Sequence, residues 1–399
     1  MKISKLQLIY LALLSMLGFV ATDMYLPAFK EMENYFGTGP ELIALSLTIF
    51  LVGMAVGQLL WGLASDKFGH RNTLTAGLTL FTAASFGLIF ADQIWQLLVL
   101  RFLQAIGVCA PAVIWQAMVI KRYSQQSQQI FASIMPLVAL SPALAPQLGV
   151  LLADNFGWHS IFVVLTLIGI ALIAATMAQH NEKIETKNTS ISSDIKTLLS
   201  SKAYLGNVIM YATASAAFFA YLTGMPEIMA QLGYSAKDIG LSFIPQTIAF
   251  MVGGYLGKVA VKKLGDEKVL RHLIGLFSVA SLLIFIASQW QLESIWPILT
   301  PFCLIAIANG ALYPVVVNRA LANAKQAPAT AAGLQNSLQI CVSSLSSALV
   351  AAMASQAQMV TGIAIIICMV GLWAGYVISN KQLAKHFTTP DNSRVISDK

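Results

Sequence analysis

The chain has 399 residues, 57% of them hydrophobic and only 10% charged, with a mean hydropathy of +0.73. A soluble domain carries about 25% charged residues. The deficit here runs the whole length, which argues against a soluble protein on a single anchor and for a polytopic membrane protein. The net charge of +7 is no nucleic-acid footprint, because the Lys and Arg residues fall in a pattern that orients membrane spans.

Twelve apolar segments of about 18–24 residues follow one another, each long enough for a ~30 Å hydrocarbon core at ~1.5 Å per residue. They predict helices near 6–28, 41–63, 72–91, 95–117, 129–152, 158–178, 204–225, 238–257, 270–288, 295–317, 328–353 and 358–379. The first follows Lys2 and Lys5 with no small-residue cleavage site behind it, so it reads as a span and not as a removed signal peptide. With the N-terminus placed in the cytoplasm, every Lys and Arg except Lys30, Lys237 and Arg101 lies in an inner loop or tail, while the acids divide evenly. That is the positive-inside pattern. It predicts a bacterial inner-membrane protein with both termini cytoplasmic, surrounded by membrane lipid and with no nucleic-acid partner. The longest polar stretch lies between spans six and seven. It predicts a six-helix unit at 1–179, a cytoplasmic linker at 180–203, a second six-helix unit at 204–380 and a disordered polar tail at 381–399. A 6+6 division of this kind points to internal duplication.

Within the first span stands Asp23, and within the fourth stands Arg101, the one basic residue at membrane depth. An Arg without a partner in hydrocarbon costs several kcal/mol, so its retention calls for a partner, a water-filled cavity or a substrate. At helical period, Arg101, Gln104, Val108, Pro111 and Trp115 share one side, which predicts a cavity-lining face. Counted from the outer ends of their spans, Asp23 and Arg101 sit at one level, roughly 7–9 Å below the surface. Burial disfavours an ionised carboxyl and a nearby guanidinium favours it. A conformational change that separates the two would therefore move a proton. A static Asp–Arg pair that fixes helix packing is the alternative.

The loop after span two reads Gly62-Leu63-Ala64-Ser65-Asp66-Lys67-Phe68-Gly69-His70-Arg71. Gly62 allows close helix approach, Gly69 a tight turn, and Asp66 a cap on the next helix or an ion pair with a neighbour's base. Its counterpart, Gly257 to Gly265, lacks the Asp. In the second half, amides and aromatics recur at membrane depth. Asn309 and Tyr313 are one turn apart, as are Gln335 and Gln339, and as are Gln246 and Phe250; Phe218, Phe219 and Tyr221 close span seven. Amides read donor–acceptor edges and aromatics stack on rings, so the set suits a neutral, planar, polar solute, with inter-helix packing the alternative for each residue alone. Cys109, Cys303, Cys341 and Cys368 lie in apolar spans without metal spacing, and the five histidines lie in loops or at span ends. Neither a metal site nor a membrane-embedded enzyme is expected.

The 62–71 loop resembles the G-x-L-a-D-x-x-G-[RK]-[RK] signature of the major facilitator superfamily. Arg101-Phe102-Leu103-Gln104-Ala105-Ile106-Gly107 is similar to a span-four segment of the drug:proton antiporters, with Ala105 in place of a glycine. Thr22 to Phe29 and Ser141 to Gly149 resemble the Bcr/CflA branch. Within that branch, 107–117, 241–250 and 308–314 look like purine nucleoside carriers. The resemblance implies an all-α membrane protein of twelve transmembrane helices in two pseudo-symmetric six-helix bundles. It implies a monomer that alternates access, needs no cofactor and draws on the proton gradient. Gly62, Asp66, Gly69 and Arg71 would latch the outward-open state, and Asp23 and Arg101 would couple to the proton. The solute would be held by Tyr25, Gln104, Trp115, Gln116, Phe218, Phe219, Gln246, Asn309, Tyr313, Gln335 and Gln339. Purine nucleosides such as adenosine and inosine, taken up by proton symport, are the expected small-molecule substrate; drug efflux by antiport is the alternative.

Overall fold

The computed structural model describes residues 3–179, 191–290, 293–324 and 326–388. Among them every predicted span forms a helix and no strand occurs. In chain order the α-helices are α1 (Lys5–Asp23), α2 (Phe29–Phe36), α3 (Pro40–Phe68), α4 (His70–Leu88), α5 (Ile94–Arg122), α6 (Ser127–Phe156) and α7 (His159–Met177). They continue as α8 (Ile191–Ser200), α9 (Lys202–Gln231), α10 (Ala236–Leu264), α11 (Asp266–Ser288), α12 (Trp296–Ala322), α13 (Pro328–Ala352) and α14 (Ala357–Thr388). All but α2 and α8 have the length of a span. Among the described residues, nine spans, one of them the α1–α2 unit, are long and apolar enough to cross a membrane on length and composition alone. Of the other long helices, α4 and α13 carry more hydroxyl and amide positions.

The first span is not one helix. Pro27 has no N–H to give to the Asp23 carbonyl four residues earlier, and its ring crowds that carbonyl. The helix therefore stops at Asp23, turns through a short 3-10 segment at Leu26–Ala28 and resumes as α2. Asp23 thus sits at a break and not inside a continuous helix. Elsewhere helices outlast the apolar runs that predicted them: α3 continues to Phe68, α5 to Arg122, α9 to Gln231 and α10 to Leu264. Leaving hydrocarbon does not end a helix; a turn residue does. The predicted linker contains α8, whose Leu198 is buried, while its residues 180–190 lie outside the described chain. The predicted disordered tail is helical as far as Thr388, with 389–399 outside the described chain.

Helix neighbours define two bundles. In the first, α5 packs on α3 and α4, α4 on α7, and α1 on α5 and α6; in the second, α12 packs on α10 and α11, and α9 on α13 and α14. The bundles repeat each other down to the backbone: Gly69 ends α3 with φ 84° and ψ 151°, and Gly265 ends α10 with φ 82° and ψ 157°. Only glycine adopts that region without strain.

The halves meet along α3–α13 and α6–α10, with α5 and α6 also touching α13 and α12. This seam is closed at one end only, the basic end, where the α3–α4 and α10–α11 turns lie. Near that end Lys258 Nζ donates to the Ser133 hydroxyl at 2.8 Å, and the closure runs as far as the middle of α3, where the Ser337 hydroxyl donates to the Ala55 carbonyl at 2.9 Å. Farther along, the same helical stripes come open. On α13 the stripe through Thr330, Gly333 and Ser337 continues as Cys341, Ser344 and Ala348, all exposed. On α3 the stripe through Gly62, Gln58 and Ala55 continues as Leu51, Thr48 and Ala44, again all exposed. The geometry is a cleft between two bundles that opens away from the basic end.

Candidate functional site

At the closed end, Asp66 supplies the sharpest contact between the halves. Its Oδ1 accepts from the Ala329 N–H at 3.2 Å and its Oδ2 from the Thr330 N–H at 2.7 Å. These are first-turn amides of α13, which has no side-chain cap of its own. A carboxylate at a helix N-terminus satisfies orphan donors and opposes the positive end of the helix dipole, typically for about 1 kcal/mol. The expectation that Asp66 caps the next helix or pairs with a base is thereby corrected: it caps a helix of the other half. Close approach makes this possible. A Cβ at Gly62 would lie 2.5 Å from the Ala329 oxygen, and one at Gly333 2.4 Å from the Gln58 oxygen. Arg71 does not cross the seam; its Nη2 donates to the Met177 carbonyl at the end of α7, at 2.7 Å. Three residues before Gly265, where the repeat would place an acid, stands exposed Lys262. The cap is one-sided.

Arg101 is fully buried. Its Nη1 donates to the Ala21 carbonyl at 3.1 Å and to Gln104 Oε1 at 2.5 Å. Its guanidinium lies over Tyr25 at 3.9 Å and over Phe50 at 4.1 Å from the ring centroids. Gln104 passes the chain on, donating to Ser85 at 2.8 Å, and Ser85 donates to the Phe81 carbonyl. The Tyr25 and Ser46 hydroxyls lie 3.2 Å apart. Asp23 is absent from this network: among the described residues no ion pair or hydrogen bond joins it to Arg101, and its carboxyl is partly exposed at the helix break. The predicted pairing is therefore not made in this conformation. A cation held between two aromatic faces has an alternative to a counter-ion.

Nor does the predicted α5 face line an opening. Arg101, Gln104, Val108, Pro111 and Trp115 are all buried inside the first bundle, with Trp115 against Phe131 at 5.2 Å between centroids. Phe218 packs on Phe302 at 5.7 Å, and Tyr221 stacks on the same ring, so both belong to the second core. Phe219 is exposed, between Ser215 and Thr223 on the α9 stripe that faces α13.

The remaining candidates come together in the second half and at its seam. Gln116 Nε2 reaches Asn336 Oδ1 across the halves at 3.5 Å. Asn309 Nδ2 donates to the Ala214 carbonyl on α9 at 3.2 Å. Gln339 Nε2 donates to Ser215 at 2.6 Å and to Ser343 at 3.2 Å. Tyr313 lies edge-on to Tyr211 at 5.1 Å and to Phe250 at 5.7 Å, with Gln246 one turn from Phe250. Gln335 is fully buried one turn from Gln339. Sequence reasoning missed Ser215, Ser343, Tyr211 and Asn336, which complete this group, and Phe50, which completes the Arg101 sandwich. Serines and aromatics in spans are too common to mark a site; only the pairing with Gln339, Tyr313 and Arg101 singles them out.

Fold and site together define a membrane carrier: two repeated six-helix bundles, a cleft between them closed at one end, and polar groups at mid-depth. The chain belongs to the Major Facilitator Superfamily, whose family model matches residues 11–351. It is a multi-pass membrane transporter, not an enzyme. It is 31% identical over 314 residues to a chloramphenicol resistance protein of Pseudomonas aeruginosa, covering 77% of this chain and 74% of that one. To a bicyclomycin resistance protein homolog of Haemophilus influenzae it is 27% identical, covering 86% and 88%. Among solved structures it is similar to a superfamily transporter, FucP, in the outward conformation, with a TM-score of 0.73, 14% identity and coverage of 93% and 99%. That last likeness concerns the fold alone.

Proposed function

We propose that this chain is a Bcr/CflA-type exporter that moves small organic drugs out of a bacterial cell in exchange for protons. The observation that carries the reading is the near full-length similarity to proteins named for resistance to chloramphenicol and bicyclomycin. The one-sided seam supports it. With the basic end in the cytoplasm, the Asp66 cap closes the inner side and the cleft opens outward, the state in which an exporter releases its solute and takes up a proton. Asp23, partly exposed at the helix break, is the carboxylate that takes that proton. Arg101, held by Tyr25, Phe50 and Gln104, supplies a fixed positive charge behind it. In the opposite state the Asp66 cap is broken and the cleft faces the cytoplasm, as alternating access between two repeats requires. The protein works as a monomer in the inner membrane with both termini cytoplasmic.

The expectation of purine nucleoside uptake has less support than efflux. The specific observation in its favour is the resemblance of 107–117, 241–250 and 308–314 to the nucleoside transporter PunC, and it stands as the second reading. Growth separates the two. In a pump-deficient bacterial strain, expression of the chain is expected to raise the inhibitory concentration of chloramphenicol, and Asp23→Asn to abolish the gain. Radiolabelled adenosine accumulating in the same cells, with chloramphenicol sensitivity unchanged, would move the assignment to nucleoside symport.

A further inference from the structure

The start of α13 is the part of the inner seam that has to change partner. In this state its Ala329 and Thr330 amides donate to Asp66 on α3, in the other half. α13 has no side-chain cap of its own, and Ala329 and Thr330 are buried. When the halves part at the basic end, α3 carries Asp66 away, and those amides lose their acceptors. An unpaired amide in such a place is costly. A carrier that alternates keeps its two states close in free energy, so the loss calls for compensation.

A second carboxylate stands at the same place. The linker helix α8 packs on α9 and α13, and its Leu198 is buried in one apolar cluster with Tyr204, Ala331 and Ala332. Tyr204, near the start of α9, donates its hydroxyl to the Ala331 carbonyl of α13 at 2.7 Å. The starts of α13 and α9 are thus tied to each other and to α8, and all three belong to the second half. Asp194, in the first turn of α8, is half-buried, and its charge is felt at Asp66. Like charges at that range oppose each other, so Asp194 weakens the present cap. Its use lies in the other state, because α8 stays with α13 when Asp66 departs.

Resting on the alternating-access reading above, we infer that Asp194 is the replacement cap: as the inner seam opens, its carboxylate takes over the Ala329 and Thr330 amides that Asp66 gives up. The two acids serve one helix end in turn. Asp66 stabilises the state open to the outside and Asp194 the state open to the cytoplasm, which makes the linker helix a working part of the switch and not a passive tether. Cytoplasmic water entering the opened seam is a poorer substitute, since it must first be ordered there, whereas α8 holds the carboxylate in place. Asp194 touches neither solute nor proton; it is a positioning residue.

Labelling of Cys341 by a membrane-impermeant maleimide reads the state, in a Cys303→Ala chain whose two other thiols, Cys109 and Cys368, are buried. Asp66→Ala slows labelling by removing the cap of the outward-open state. Adding Asp194→Ala to Asp66→Ala should restore the rate, by about fivefold, the worth of one cap. Adding Asp194→Asn instead should leave labelling slow, because Asn caps a helix about as well as Asp. The Asp66→Ala background separates capping from repulsion: with Asp66 gone, an Asp194 that acts by repelling it changes nothing. With Asp66 present, Asp194→Ala should hold the chain outward-open and slow turnover, with an unchanged melting temperature. No effect of Asp194→Ala on labelling in the Asp66→Ala chain, further slowing there, or equal restoration by Asn and Ala would each overturn the inference. The exporter reading fails separately. Labelling follows the seam with no solute and no gradient, so the expected pattern in a chain that moves neither chloramphenicol nor adenosine keeps the relay and loses the export.

Discussion

Arg101 shows why a single residue cannot be read by its type alone. In hydrocarbon its charge calls for compensation, and a carboxylate on a neighbouring span is the obvious source. The structure meets the need otherwise, with a carbonyl, an amide and two aromatic faces. The planar guanidinium fits that slot, and an ammonium does not, since it neither stacks between rings nor offers a rigid fork of donors. Arg101→Lys is therefore expected to cost up to about 3–5 kcal/mol of stability, the range for breaking the pairing of a buried charge, and to abolish transport. A melting curve and a flux assay on the purified variant check both. A Lys variant with unaltered melting and flux would show that charge alone matters here. Among the described residues, in contrast, the Asp23 carboxyl makes no internal bond that an amide would break. Asp23→Asn is expected to fold normally and to fail only in proton-driven transport.

The α3–α13 crossing carries the conformational argument at the scale of elements. Gly62 and Gly333 let the backbones touch, and Asp66 caps α13 across the seam. Removing that cap with Asp66→Ala should cost the closed seam about 1 kcal/mol or somewhat more, which shifts the population of the two states by about five- to tenfold. Cys341 reports the shift, because it is exposed on the α13 stripe in this state, whereas Cys109 and Cys368 are buried. Labelling of intact cells by a membrane-impermeant maleimide should slow at Cys341 in Asp66→Ala, and also in Gly333→Val, whose side chain would collide with the Gln58 backbone. Unchanged labelling in both would mean that the seam does not depend on this crossing. Much of this element was legible in sequence, since Gly62, Asp66 and Gly69 stand at the spacing a tight inter-span loop needs. The recipient of the cap was not. Ala327 and Pro328 give no sign that α13 lacks a cap of its own, and nothing in local sequence says which distant helix lies 263 residues away from Asp66.

Across the whole molecule, periodicity and charge were enough for the helices and their grouping, because a span must be apolar and a basic loop must stay on one side. They were not enough for the break at Asp23, which depends on the geometric reach of Pro27 and not on hydropathy. They also misplaced the cavity. Polar residues on α5 looked like a lining face, but a buried network within one bundle has the same composition as a cavity wall. Only burial separates Gln104, sealed beside Ser85, from Gln339 and Tyr313, which border the inter-bundle space.

Flux of chloramphenicol in proteoliposomes, measured with the proton gradient imposed first in one direction and then in the other, tests the account most directly. Proton-exchange export predicts that chloramphenicol moves against the proton flow, that reversing the gradient reverses the movement, and that Asp23→Asn stops both. Chloramphenicol movement that ignores the gradient, or adenosine travelling in the same direction as the protons while chloramphenicol stays still, would contradict it.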